Sequence, residues 1–267
     1  MSPEVRVGTQ GWSYDHWTGT FYPPGTAPAD RLELYARAFD TVEVDSTFYG
    51  APPRERYRSW DERTPTGFVF TLKMPGEVTH EARLEDPRPA LRFCRDVRAL
   101  GDKLGMVLIQ LPPDFGPARF DVTASFLHAL PGDLPFAIEF RDRKWLGPQT
   151  LALLGDTGTT LALSMGPWLD EATARSLAGR VPGRTLYLRW MGSPRHRRDL
   201  AARVRDRDRQ VDAWARRIQE LDLDRVYAFY NNDYQGHSPA SARRLQALLG
   251  LDPVSPDELS PQRELFG

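Results

Sequence analysis

The stretch FAIEFRDRKWLGPQTLALLGDTGTTLALSM, residues 136–165, holds a β-rich run, a helical segment and a second β-rich run in direct succession. Phe136–Arg141 and Thr160–Met165 have the length and composition of strands, and 149–155 lies between them with helical patterning. Outward from this unit the alternation continues to both ends. Strands are predicted at Val5–Gly11, Thr41–Thr47, Phe68–Pro75 and Gly105–Pro112 before it, and at Thr185–Gly192 and Arg225–Asp233 after it. Helices are predicted near 29–39, 54–64, 90–104, 122–130, 170–179, 200–221 and 239–250. In the last, Ser238 is read as the N-cap, Pro239 as the first helical residue and Gly250 as the stop, with Leu245, Leu248 and Leu249 as its apolar stripe. Strands alternating with helices call for a parallel sheet, and eight such units close a ring. The expected fold is α/β, a single (β/α)8 TIM-like barrel. An open doubly wound sheet is disfavoured, because Gly8-Thr9-Gln10-Gly11-Trp12-Ser13-Tyr14 does not match the phosphate-binding pattern GxGxxG.

No repeat of fixed period and no Ser/Gly linker divides the chain, so residues 1–251 are expected to form the barrel. Residues 252–267, rich in Pro, Ser and Glu, are expected to be an extended tail. At 267 residues and 40% apolar content the chain can bury a large core. Its net charge of −1 exerts no global pull toward nucleic acid or membrane, so any attraction for anions must be local. No apolar run approaches the roughly 20 residues of a membrane helix, and residues 1–8 have no signal-peptide core. A lone Cys94 excludes an internal disulfide and suits a reducing compartment; a cytoplasmic location is expected. Cys94 falls on the stripe Leu91, Cys94, Val97, Leu100, Leu104 and reads as core filler. Arg outnumbers Lys 32 to 3. Where Arg is the default cation, a Lys marks a place that calls for a compact, titratable amine. Of Lys73, Lys103 and Lys144, only Lys73 falls within a strand-like run.

Every second residue of a barrel strand faces the interior, and those at the C-terminal ends line the site. These ends are polar. Strand two carries Glu43 and Asp45 on one face; strand three, Thr71 and Lys73; strand four, Gln110; strand five, Glu139 and Arg141. Strand six offers Ser164, strand seven Arg189, and strand eight Asn231, Asn232 and Asp233. Each taken singly is as well explained by a cap, a salt bridge or backbone satisfaction. Burying so many at one end costs a few kcal/mol each unless they are paired, which favours a binding site. The following loops bring Trp12, Tyr14, Trp17, Phe21, Tyr22, Phe48, Tyr49, Trp145, Trp168, Trp190 and Tyr234, either as loop packing or as a stacking wall for a sugar or base.

Several segments together resemble the YecE-like proteins. They are Gly8-Thr9-Gln10-Gly11-Trp12-Ser13-Tyr14 with Trp17-Thr18-Gly19 and Phe21-Tyr22-Pro23, then Val42-Glu43-Val44-Asp45-Ser46-Thr47-Phe48-Tyr49. Phe70-Thr71-Leu72-Lys73-Met74-Pro75 with Thr79-His80, and Gln110-Leu111-Pro112-Pro113-Asp114-Phe115, follow in order. Glu139-Phe140-Arg141 with Trp145, and Tyr230-Asn231-Asn232-Asp233 with Gly236, complete the set. The resemblance runs over nearly the whole chain and implies a TIM-like barrel. It implies no reaction, since the family's domain has no settled activity. Asp45 stands where the family often has Asn, and Arg189-Trp190-Met191-Gly192 stands where a His–Gly pair usually follows the Arg.

The chemistry expected is that of an enzyme, of hydrolase or lyase type, using acid/base groups on an anionic ligand such as a phosphorylated small molecule or a nucleic-acid phosphate. Glu139 is the candidate for proton transfer, beside Lys73 and Arg141. Lys73 and Arg189 would hold the anion, His80 would shuttle a proton, and Asn231 or Asn232 would orient the ligand. Trp12, Tyr14, Glu43, Asp45, Tyr49, Gln110, Arg141 and Ser164 complete the binding set. The strand-seven exit adds Arg195, His196, Arg197 and Arg198, equally readable as a solvated loop with Asp199, Asp206 and Asp208 close behind. A retaining glycosidase would need two carboxylates about 5 Å apart. A Schiff-base role for Lys73 competes with a simple cationic clamp. No cofactor is expected, and histidines 16, 80, 128, 196 and 237 show no close metal-ligand spacing, although ligands from separate strands can converge. The alternative is a nucleic-acid-binding or repair-associated protein. Gln262-Arg263-Glu264-Leu265-Phe266 is similar to the Gln-x-x-Leu-Phe peptides that dock on the bacterial sliding clamp, with Leu265 and Phe266 as apolar anchors.

Overall fold

A computed structural model describes residues 3–192, 200–231 and 237–259, with the backbone alone for 200–207. Eight parallel strands close into a barrel in chain order. They are β1 (Glu4–Gln10), β2 (Thr41–Val44), β3 (Val69–Lys73), β4 (Leu104–Gln110), β5 (Phe136–Glu139), β6 (Thr160–Met165), β7 (Thr185–Trp190) and β8 (Arg225–Tyr230). The ring closes where β8 pairs with β1, from Glu4 opposite Arg225 to Thr9 opposite Tyr230. The helices are α1 (Arg31–Ala38), α2 (Arg54–Glu62), α3 (Arg88–Val97), α4 (Phe120–Ala129), α5 (Pro148–Asp156), α6 (Glu171–Ala178), α7 (Leu200–Glu220) and α8 (Ser238–Leu248). Among the described residues no helix is long and apolar enough to cross a membrane.

Several strands stop short of their predicted C-terminal ends, for reasons visible in the exit loops. Pro75 follows β3, and Pro112 and Pro113 follow β4; none of these has an N–H to offer a neighbouring strand. After β2 the chain turns at once into a 3-10 helix at Ser46–Phe48. The helix predicted over 90–104 divides into α3 and a 3-10 stretch at Arg98–Lys103, interrupted where Gly101 takes φ 52°. His237, not Ser238, is the N-cap of α8. The buried face of α3 is Ala90, Phe93, Cys94 and Val97, with Leu91 exposed; Leu248 of α8 is exposed too. Burial pushes the Cys94 thiol up to about 11, as befits a packing residue. The segment read as extended turns back at α9 (Pro256–Leu259), which packs on α1 with Leu259 buried. The sliding-clamp motif, with Gln262, Leu265 and Phe266, lies outside the described residues.

The core has two parts. The larger lies between the sheet and its helices, where Val7, Trp17, Leu32, Phe70, Phe93 and Ile138 are among its members. The smaller fills the barrel itself: Val69, Met106, Leu108, Ala137, Ala162, Tyr187, Tyr227 and Phe229. Gly105 is required at the floor of this inner core. The register between β3 and β4 slips there, with Phe70 opposite Leu104 and Thr71 opposite Met106, which leaves Gly105 as the extra residue. A Cβ at 105 would lie 2.2 Å from Val69 Cγ1 and 3.0 Å from Tyr227 Oη. Gly105→Ala is therefore expected to cost about 1.5 kcal/mol through overpacking, read as a lower midpoint in urea. An unchanged midpoint would mean the barrel floor is looser than described.

Candidate functional site

The polar residues at the barrel mouth follow from strand alternation. Two positions beyond an apolar residue of the inner core comes a polar one on the same face. Leu108 leads to Gln110, Ala137 to Glu139, Ala162 to Ser164, Tyr187 to Arg189 and Phe229 to Asn231. On β3, Val69 leads through Thr71 to Lys73. The lower barrel is thus a dry plug, and the chemistry-bearing side chains form a ring on top of it.

Arg189 is the hub of that ring and is 1% exposed. Its Nε donates to both oxygens of Glu43, at 3.0 and 2.9 Å, and its Nη2 donates to Glu43 Oε1 at 2.7 Å. Its Nη1 donates to Glu139 Oε2. Glu139 Oε1 in turn accepts from Arg141 Nε at 3.0 Å. Tyr187 Oη donates to Glu43 Oε2 at 2.7 Å and lies 3.0 Å from Thr71 Oγ1. Burial would raise the Glu139 carboxyl, but Arg189 and Arg141 outweigh it and hold the group below the usual carboxylate range. Burial and the Glu43 charge push Tyr187 well up, so it stays neutral. Two carboxylates and two guanidiniums cancel one another here. Glu139, dry and doubly paired, is therefore better suited to fixing the guanidiniums than to accepting a proton.

Lys73 stands outside that balance. Its half-buried amine sits 4.0 Å from the centre of the Phe48 ring, and among the described residues it has no hydrogen-bond acceptor and no ion-pair partner. Burial first, and then the Arg189 charge, bring its pKa down from 10.5 to about 8 against the pull of Glu139 and Glu43. Asp45 is its neighbour by register, since Val44 pairs with Leu72 immediately before them. Burial and the Glu43 charge raise the Asp45 carboxyl above its ordinary value. His80 meets the other side of the group: its ring lies edge-on to Phe48 at 4.8 Å, and its Nδ1 is 2.8 Å from Thr79 Oγ1. Burial, then Lys73 and Arg141, lower its pKa. The turn that carries it, Glu77–Glu81, is π-helical, a rare geometry that recurs at functional sites. Arg83 and Leu84, just beyond, hold left-handed backbones at φ 48° and 66°.

Two more groups keep unused hydrogen-bonding capacity among the described residues. Arg141 is half-buried with its guanidinium over the Trp168 ring at 5.6 Å, and its Nη atoms make no hydrogen bond among the described residues. The Ser164 hydroxyl is buried and has no hydrogen-bond partner there either. Gln110 is buried at the end of β4. Asn231 Nδ2 donates to Gln10 Oε1 at 2.9 Å.

Most of the aromatic residues pack loops. Trp12 meets Trp60 edge-on at 5.6 Å, and Tyr14 donates to the Gln10 carbonyl at 2.7 Å while lying against Trp17. Trp145 is buried on Phe140 with its Nε1 on the Phe115 carbonyl, and Trp190 stacks on Tyr230 at 4.4 Å, away from the ring. Phe48 and Trp168 are half-buried and Tyr49 is 88% exposed, which leaves these three rings less covered. Asn232, Asp233, Tyr234 and Gly236, and the loop residues Arg195, His196, Arg197, Arg198 and Asp199, lie outside the described residues. Gln10 and Tyr187 belong to the ring but were not among the predicted site residues. The every-second-residue rule locates both, one at the last position of β1 and the other two before Arg189. Among the described residues no three of His, Cys, Asp and Glu gather closely enough to hold a metal ion.

Comparison with known proteins gives a consistent set of relatives. A family model described as protein of unknown function DUF72 matches residues 6–264. The chain is 25% identical over 272 residues to the UPF0759 protein YunF of Bacillus subtilis, covering 93% of this chain and 95% of that protein. It is 31% identical over 145 residues to the UPF0759 protein YecE of Escherichia coli K12, covering 51% of this chain and 48% of that one. The crystal structure of a DUF72 family protein from Thermotoga maritima superposes with a TM-score of 0.71 at 25% identity, over 92% of this chain and 99% of that chain.

Proposed function

The chain belongs to the DUF72 family of proteins of unknown function, and on that premise we propose that its barrel mouth is the active site of an enzyme acting on a small anionic ligand. In this reading Arg141 anchors the anion and Lys73 moves the proton. The observation that carries it is the lone amine. Glu43, Glu139, Arg189 and Arg141 neutralise one another, while Lys73 is half-buried and, among the described residues, meets only the Phe48 ring. An unpaired charge taken partly out of water is costly, and a ligand phosphate or carboxylate would offset that cost.

Each remaining role follows from environment. Glu139 is assigned to holding the forks of Arg141 and Arg189 in place, and proton transfer passes to Lys73, whose pKa near 8 matches a working pH. Asp45, its carboxyl raised by burial and the Glu43 charge, is assigned as the second acid, and His80 relays to solvent past Phe48. The Phe48, Tyr49 and Trp168 rings supply an apolar face for the carbon skeleton.

Thermal unfolding in the presence of phosphate, small carboxylates and sugar phosphates tests this reading. A phosphorylated small molecule at millimolar concentration is expected to raise the midpoint, and Arg141→Met to weaken its binding at least about tenfold, the loss of one charge-assisted contact. Binding should also weaken as the pH rises through about 8, where Lys73 loses its charge. Failure of every anion to stabilise the protein, or stabilisation untouched by Arg141→Met, would remove the assignment.

A further inference from the structure

We propose that Lys73 is a covalent nucleophile, forming an imine with a small aldehyde or ketone that also carries an anionic group; this rests on the reading of the mouth as an active site. A clamp and a nucleophile make opposite demands on a side chain. A clamp should be permanently charged and held by a carboxylate, and the mouth already has such a group in Arg141, held by Glu139. A nucleophile must be free of hydrogen-bond partners and able to exist as the neutral amine. Lys73 meets both conditions: its Nζ has no hydrogen-bond or ion-pair partner among the described residues, and its half-buried place near the Arg189 charge favours the neutral amine.

The other two lysines show the contrast. Lys103 Nζ is fixed by the Thr64 carbonyl at 2.8 Å, Thr64 Oγ1 at 3.3 Å and Asp61 Oδ1 at 3.1 Å. Lys144 is exposed on the 3-10 turn Arg143–Trp145. In a chain with 32 arginines this inward position has a lysine, where charge alone would be met by the commoner residue. Its pKa near 8 leaves about half of it neutral at pH 8, against about 0.4% of an ordinary lysine.

The step balances without a further reagent. The Nζ lone pair attacks the carbonyl carbon; the carbonyl π pair moves to oxygen, which takes up a proton while nitrogen gives one up. The resulting carbinolamine loses its hydroxyl as water with a second proton from an acid, and the nitrogen lone pair completes the C=N bond. Asp45, next to Lys73 in register and raised by burial, is placed to deliver that proton. Across the ring on β6, the buried Ser164 hydroxyl, without a hydrogen-bond partner among the described residues, is assigned to a substrate hydroxyl or carbonyl. Arg141 takes the anionic group, as above.

Reductive trapping tests this. The full chain is incubated at pH 8 with dihydroxyacetone phosphate and cyanoborohydride, and peptides bearing each lysine are followed by mass spectrometry. Lys73 is expected to be labelled about tenfold faster than Lys144, its larger neutral fraction being partly offset by lower basicity. Labelling should drop at least about tenfold with Arg141→Met or with unphosphorylated dihydroxyacetone, and vanish from this peptide in Lys73→Arg. Labelling of Lys73 no faster than Lys144 overturns the imine. If phosphate esters still stabilise the protein through Arg141 in that case, the anion site stands and only the covalent step falls. If neither occurs, both readings fall. Circular dichroism of Lys73→Arg and Lys73→Met guards against loss of fold.

Discussion

Arg189→Met is expected to lower the unfolding free energy by about 4 kcal/mol, the cost of leaving buried carboxylates without their cation. Glu43 would keep only the Tyr187 hydroxyl, and Glu139 only Arg141. For a chain of this size the loss corresponds to a fall of roughly 10 °C in Tm. The same substitution combined with Glu43→Gln and Glu139→Gln should recover most of the loss, because a buried ion network replaced as a whole costs little. The pH dependence has a definite sign. A carboxyl held low in the folded state adds stability above its unfolded pKa near 4.3, and this is lost as the pH falls through the folded value. Wild-type protein should therefore lose stability more steeply below about pH 4 than Arg189→Met does. A loss under about 1 kcal/mol would show that the hub is not the buried network described.

Lys73→Met should act in the opposite direction, making the protein more stable while weakening ligand binding. A fall in pKa from 10.5 to about 8 corresponds to about 3.4 kcal/mol of disfavoured charge, at 1.36 kcal/mol per tenfold. Solvent still reaches the half-buried amine and reduces that to about 2 kcal/mol. The penalty is complete below pH 8, where the lysine is charged in both states. It fades between about 8 and 10.5, where the folded protein has already released the proton and the unfolded chain has not. The advantage of Lys73→Met should shrink across that window. A lysine with a purely structural role would destabilise on removal at every pH. Gaining stability by deleting a group at the mouth is the signature of a residue kept for its chemistry.

The barrel was legible because strand and helix periods alternate without interruption from Val5 to Gly250, and the eight strands fall where the β-rich runs are. What the sequence conceals is pairing across the ring. Glu139 and Arg141, two residues apart, announce a salt bridge, and one forms at 3.0 Å. Nothing local says that Arg189, 50 positions away, also closes on Glu139, or that Glu43 receives the other side of its fork at a separation of 146. That is why Glu139 reads as a base in sequence and as a fixed counter-charge in space. Tyr187 was hidden for a related reason: an aromatic residue inside a strand looks like core until its hydroxyl is seen to reach Glu43 and Thr71. For the loop aromatics the sequence leaves packing and a stacking wall both open, and most of them turn inward on one another, as Trp145 does on Phe115 and Phe140. Lys73 is the residue to which composition draws attention, through the scarcity of lysine among the cations.

The most direct measurement is the titration of Lys73 itself. With three lysines in the chain, 13Cε-labelled lysine gives three resonances, and Lys73→Met identifies the one that matters. A midpoint near 8 in the ligand-free protein, moving upward when a phosphorylated ligand binds, is the expected result. A midpoint at the ordinary lysine value, indifferent to anions, would contradict the lone buried amine on which the functional reading stands.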